Sequence, residues 1–167
     1  MADVASIIGP IIGPRCLVTG GCGYLGRALV AQLLELGCEV HTVALAEAAP
    51  DPRVRHFRGD LRHYASIAPA FEGVQTVFHS AALIATVEER FAQPALRRMA
   101  YAVNVVGTEN VLRAARAAGV NALAHALGND ADSAEPVDGV AINESDNKLV
   151  RLVNALIADA VRLRASD

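Results

Sequence analysis

The stretch Thr19-Gly20-Gly21-Cys22-Gly23-Tyr24-Leu25-Gly26 constrains this chain more than any other. A short apolar run, Cys16–Thr19, leads into it. The stretch that follows carries apolar residues at Leu25, Leu29, Leu33 and Leu36 before Gly37. An apolar run of that length suits a buried strand, and the later spacing is that of a helix with one apolar face and a glycine stop. A strand that turns into a helix through glycines presents backbone N–H groups at the helix N-terminus. Unpaired donors and the helix dipole favour an anion there, such as a pyrophosphate. Glycines allow the tight turn, bring the backbone near a ligand and let helix and strand pack closely. The competing reading of Gly20, Gly23 and Gly26 is a tightly packed turn that binds nothing.

Similar segments alternate along the rest of the chain. Apolar runs at Glu39–Val43, Val54–Phe57, Gln75–His79 and Ala122–Ala126 suit buried parallel strands, and Val103–Ala118 has helical spacing up to Gly119. Pro69 and Pro94 mark helix ends or local breaks, and Pro50 with Pro52 marks a loop. The polar, acidic stretch 129–147 reads as a loop, and Leu149–Leu163 as a last helix with a broad apolar stripe. The pattern predicts an α/β fold: a doubly wound parallel sheet (Rossmann fold), single domain, with strand order 3-2-1-4-5. The boundaries expected are an arm over 1–14 and one α/β domain over 15–167.

Composition removes several function classes. The chain of 167 residues is 53% hydrophobic, which suits one domain with a real core and excludes disorder. No run of about 18 apolar residues is present, so no membrane partner is expected. Residues 1–14 lack a basic leader region and are interrupted by Gly9, Pro10, Gly13 and Pro14, unlike a signal peptide. Net charge is −3 with 15 scattered basic residues, which gives no electrostatic case for nucleic acid. Cys16, Cys22 and Cys38 are odd in number and lack CxxC spacing, so they read as structural thiols in a reducing cytoplasm. His56, Asp60 and His63 match no metal-site spacing, and no metal is expected.

Three further motifs follow the glycine turn in order. They are Gly59-Asp60-Leu61 after the third strand, His79-Ser80-Ala81-Ala82 after the fourth, and Asn104-Val105-Val106-Gly107-Thr108-Glu109-Asn110-Val111-Leu112 on the next helix. Together the four resemble the extended branch of the short-chain dehydrogenase/reductase family. That branch includes NAD-dependent epimerases and dehydratases and 3β-hydroxysteroid dehydrogenase-like enzymes. The resemblance covers roughly residues 15–125 and implies a dinucleotide as partner. It implies cofactor contacts from Gly20, Gly23, Tyr24, Leu25, Gly26, Asp60, Leu61, Ala81 and Ala82, with Asp60 accepting from the adenine amino group. Other readings make Asp60 a helix cap, Asn104 a surface residue, and Ala81 and Ala82 small only for packing.

The residue closing the second strand ordinarily separates NAD, held by an acid, from NADP, held by arginine. Here it falls near Ala44, which has no charge. Glu47 is a possible substitute acid and Arg53 or Arg55 a phosphate partner, and the balance leans to NAD over NADP. The resemblance also implies a Tyr-x-x-x-Lys pair, with Ser or Thr earlier, for the proton partner of hydride transfer. The sole lysine is Lys148, preceded four positions earlier by Glu144. Tyr24, Tyr64 and Tyr101 are followed four positions later by Ala28, Ala68 and Val105. Residues 124–128, where the Ser or Thr would fall, read Ala-His-Ala-Leu-Gly, and no catalytic residue is assigned.

Family members continue well past this length. The resemblance therefore leaves open a shortened or degenerated relative, an engineered core, or one piece of a larger assembly. The leading expectation is a dinucleotide-binding protein that is catalytically silent by itself. The alternatives are an active oxidoreductase or epimerase with another proton donor, such as His125, and an interaction module without ligand. Ser80 lacks an adjacent base to make it a nucleophile. The stripe on 149–163 and the family's habit of pairing helices imply a homodimer.

Overall fold

The structure is a computed structural model and describes residues 12–84 and 92–125. At its centre is β1 (Arg15–Thr19), whose residues Cys16, Leu17, Val18 and Thr19 have no exposed surface. A strand hidden on both faces has no polar positions to alternate, which is why this segment reads as a plain apolar run. β1 pairs in parallel with β2 (Glu39–Ala44) on one side and β4 (Thr76–His79) on the other. β3 (Arg55–Arg58) joins β2, and β5 (Ala122–His125) joins β4. The resulting order, β3-β2-β1-β4-β5, is the order expected of a Rossmann fold.

Helices cover both faces. On one, Leu29, Val30 and Leu33 of α1 (Tyr24–Glu35) pack against Cys16, Val18, Val40 and Phe78. On the other, Leu17 and Val77 meet Ile67 of α2 (Tyr64–Ile67), Phe71 of the 3-10 turn Ala68–Phe71, and Val111 and Ala114 of α4 (Gly107–Ala117). Each fully buried Leu, Val or Phe side chain contributes about 1.5–3 kcal/mol against the chain entropy lost on folding. Ile12, at the end of the segment read as an arm, is fully buried in the first cluster, and its carbonyl accepts the Thr76 hydroxyl at 2.6 Å. The buried thiols of Cys16 and Cys38 lie 4.0 and 3.9 Å from the Gly13 carbonyl.

Element ends shift from the sequence reading by a residue in several places, and two of the differences have a clear physical cause. β3 begins at Arg55, not Val54, because Val54 closes a turn through its N–H to the Asp51 carbonyl and packs sideways on the first cluster. The helix read as Val103–Ala118 is longer and not uniform. It starts as α3 (Pro94–Tyr101), with Pro94 in its first turn, widens into a π turn over Ala102–Val106, and resumes as α4. The wider turn puts the upstream residues out of phase, so a 3.6-residue pattern stops matching there. The loop 129–147, the helix 149–163 and most of the arm lie outside the described residues. Among those described, no helix is long and apolar enough to cross a membrane.

Candidate functional site

The register Val43–Thr19–His79 brings the carboxyl ends of β2, β1 and β4 to one edge, where ligands bind in open sheets of this kind. The glycine turn forms the floor of that edge. Gly20 has φ +70° and donates its N–H to the Val43 carbonyl at 2.8 Å, and its own carbonyl accepts from Gly23 N–H at 2.8 Å. A Cβ on Gly20 would stand 2.8 Å from Ala81 Cα, and one on Gly26 would stand 2.1 Å from the Gly20 carbonyl oxygen. These two glycines therefore serve the approach of chain to chain. Gly23 is different: it is exposed, and it is the N-cap of α1 with no side-chain cap.

The first backbone bond into α1 is from Arg27 N–H to the Gly23 carbonyl, and the first turn holds no acid. The N–H groups of Tyr24, Leu25 and Gly26 consequently have no acceptor within the helix. Tyr24 stands 80% exposed beside them, while Leu25 is half-buried against the core.

The wall across from this turn is the chain leaving β4. Ser80 donates its hydroxyl to the Thr19 carbonyl at 2.7 Å, which makes it a tie to β1. Ala81 donates its N–H to Thr19 Oγ1 at 3.3 Å. Leu83 is held at both backbone groups by Asn104, whose Oδ1 accepts from Leu83 N–H at 2.8 Å and whose Nδ2 donates to the Leu83 carbonyl at 3.0 Å. Asn104 is thus not the surface residue of the simpler reading, and the π turn is what carries it inward. Ala81 is half-buried against the turn and Ala82 exposed.

Behind this wall lies His79, 1% exposed, with Nδ1 at 2.6 Å from Thr19 Oγ1 and Nε2 at 2.9 Å from Thr108 Oγ1. His125, at the end of β5, stacks on it with ring centroids 4.6 Å apart. Burial, with a smaller contribution from His125, pushes His79 down to about 4, and burial lowers His125 as well.

The third side is the end of β3. Asp60 caps no helix; α2 is preceded by His63. Its carboxylate instead takes the Arg62 N–H at 3.0 Å and the Arg62 guanidinium, whose hydrogen bonds hold it below the usual carboxylate range. Leu61 is buried against Gly107, where a Cβ would lie 2.9 Å from its own, and its carbonyl accepts from Asn110 Nδ2 at 2.8 Å. Its side chain therefore belongs to the core. Near Ala44, Glu47 pairs with Arg58 at 2.9 Å and Arg53 with Asp51 at 2.8 Å, while Arg55 lies over the Phe57 ring. Both ring nitrogens of His56 are engaged, one with the Thr42 hydroxyl at 2.8 Å and one with the Ala46 carbonyl at 2.9 Å.

The structure thus gathers Gly20, Gly23, Tyr24, Leu25, Gly26, Ala81 and Ala82 at one edge, with Asp60 at the end of β3. The residues that sequence reasoning did not assign to the site are Thr19, His79, Asn104 and Thr108 as a connected set. All four lie inside recognised motifs, which is the signal that was available.

Residues 16–131 match the family model described as the NAD dependent epimerase/dehydratase family. The chain is 38% identical over 112 residues to a sterol-4-alpha-carboxylate 3-dehydrogenase (decarboxylating) of Bos taurus, a match spanning 65% of this chain and 29% of that enzyme. It is 37% identical over 120 residues to a 3 beta-hydroxysteroid dehydrogenase/Delta 5-->4-isomerase of Mycobacterium tuberculosis, spanning 69% of this chain and 32% of that one. Among solved structures, a short-chain dehydrogenase/reductase superfamily protein of Agrobacterium tumefaciens with bound NAD superposes with a TM-score of 0.59 at 30% identity. That match covers 89% of this chain and 44% of the other. The chain spans about a third of the length of these curated relatives.

Proposed function

The chain belongs to the NAD-dependent epimerase/dehydratase family, and on that premise we propose that these residues form a dinucleotide-holding domain without the Tyr/Lys pair of the family's standard redox step. The observation that carries the reading is the uncapped, acid-free N-terminus of α1 at the carboxyl edge of the sheet. Its three N–H groups fit a pyrophosphate. Tyr24, Leu45 and Ile84 follow the ends of β1, β2 and β4, and all three expose large apolar side chains where flat rings would need cover. A bound dinucleotide supplies hydride acceptance or donation. The residues here bind and orient it: Gly23 to Gly26 at the phosphates, Ala81 and Ala82 along its flank, and Asp60 shared between Arg62 and the adenine side.

NAD is the preferred form in this reading, because Arg53 is already paired with Asp51 and Arg55 lies over the Phe57 ring. Calorimetric titration of the purified protein with NAD, NADH, NADP and NADPH tests it. Saturable binding is expected, tighter for the NAD pair, with no NADH consumption on carbonyl compounds. A folded sample that binds none of the four removes the cofactor reading and leaves the interaction module in its place.

The proposed assembly is a homodimer in a reducing cytoplasm. Met99, Tyr101, Val105, Val106 and Leu112 are exposed along the helical path from α3 to α4, which is more apolar surface than a solvated helix ordinarily shows. Light scattering at micromolar concentration is expected to give twice the monomer mass; a monomeric mass sinks the dimer.

A further inference from the structure

The hydrogen bonds around His79 have a single consistent direction. The Thr108 hydroxyl carries one proton and donates it to the Asn104 carbonyl at 2.7 Å. At 2.9 Å from His79 Nε2 it must therefore accept, so Nε2 carries the ring proton. A neutral imidazole then offers a lone pair at Nδ1, and the Thr19 hydroxyl donates to it at 2.6 Å. Thr19 Oγ1 in turn accepts the Ala81 N–H at 3.3 Å. At the other end Asn104, whose carbonyl receives the Thr108 proton, grips Leu83 by both backbone groups. The two residues flanking Ala82 thus hang on opposite nitrogens of one buried ring.

We propose that His79 is a positioning residue for the dinucleotide: its neutral, Nε2-protonated ring ties Thr19 to Thr108 and so fixes the Ala81–Leu83 backbone against the glycine turn. This rests on the cofactor reading above. The geometry leaves little slack, since a Cβ on Gly20 would already stand 2.8 Å from Ala81 Cα. A displacement of Ala81 is therefore a displacement of the turn that receives the phosphates. His79 touches no ligand in this scheme; it acts through Thr19 on β1 and through Thr108 and Asn104 on the α3–α4 helical path. Among the described residues, the titratable group facing it is His125 on β5.

Thr108→Val tests the link, because it keeps the shape of the side chain and removes the acceptor for Nε2–H. Two readouts are taken: the NAD dissociation constant, and amide exchange in the ligand-free protein at Ala81 and Leu83, with Val30 on the opposite face as reference. T108V is expected to raise the dissociation constant roughly tenfold, the size expected when a buried donor loses its acceptor. It should also speed exchange at Ala81 and Leu83 but not at Val30. T108S restores the hydroxyl and should return both readouts towards wild type, and T108A, which adds no bulk, must reproduce the T108V shift. Wild-type binding with an unchanged constant and unchanged amides in T108V overturns the positioning role alone. No dinucleotide binding by the wild type overturns the cofactor reading and the positioning role with it.

Discussion

Gly26→Ala is expected to destabilise the fold by about 3 kcal/mol and to abolish saturable dinucleotide binding. The added Cβ would sit 2.1 Å from the Gly20 carbonyl oxygen, with Gly21 Cα at 2.8 Å. Both neighbours are backbone, so no side chain can rotate away. The conflict is relieved only by lifting the first turn of α1 off the glycine turn, which also moves the N–H groups of residues 24–26. Alanine's better helix propensity, worth about 1 kcal/mol, works in the other direction and is too small to compensate. In urea or thermal unfolding the loss should appear as a fall in melting temperature of roughly 10 °C. Gly23→Ala is the graded control: its Cβ would meet the Gly20 carbonyl at 3.2 Å, a contact that a small shift relieves. A G26A protein that melts like wild type would show that the helix and the turn are not in the contact described.

Acidification should remove a second large share of stability, and His79 sets the window. Its folded value is pushed down to about 4 by burial, whereas an unfolded histidine titrates near 6.5. Above about pH 6.5 the ring is neutral in both states and contributes no pH dependence. Between about 6.5 and 4 the unfolded chain binds a proton that the folded chain refuses, so stability falls as pH falls, by about 3 kcal/mol across the interval. Below about 4 both states are protonated and this contribution levels off. His125, also lowered by burial, acts in the same direction. The carboxylates behave separately. Asp60, held down by Arg62, and Asp51, held at about 2 by Arg53, lose their contribution only as pH falls below the ordinary carboxylate range. Ring NMR through a pH titration should find His79 neutral and Nε2-protonated down to about pH 4. An ordinary midpoint near 6.5 would contradict the buried, doubly bonded ring.

Much of the architecture was legible because it is written in local patterns. Apolar runs named all five strands to within a residue, and the glycine turn placed α1 correctly. The strand order followed from parallel crossovers, which leave few alternatives. The helix before α4 was not legible, because the π turn at 102–106 breaks the period on which helices are read. A helix cap was one of the readings that the position of Asp60 left open. Whether an aspartate bonds a helix amide or a guanidinium two residues on depends on where the loop points Arg62, and periodicity carries no such information.

The sequence by itself determined that this chain builds a parallel sheet with a glycine-lined edge, and that no tyrosine in it is followed four positions later by lysine. These are properties of short segments, set by side-chain period and by the conformations glycine permits. Only the tertiary structure decided what stands behind that edge. Thr19 and His79 are 60 residues apart, His79 and Thr108 29, and Leu83 and Asn104 21. Sheet order laid β4 beside β1, and the π turn rotated Asn104 inward. Buried polar groups without water must find partners inside the protein, and which partner each one finds is settled by the packing of distant segments.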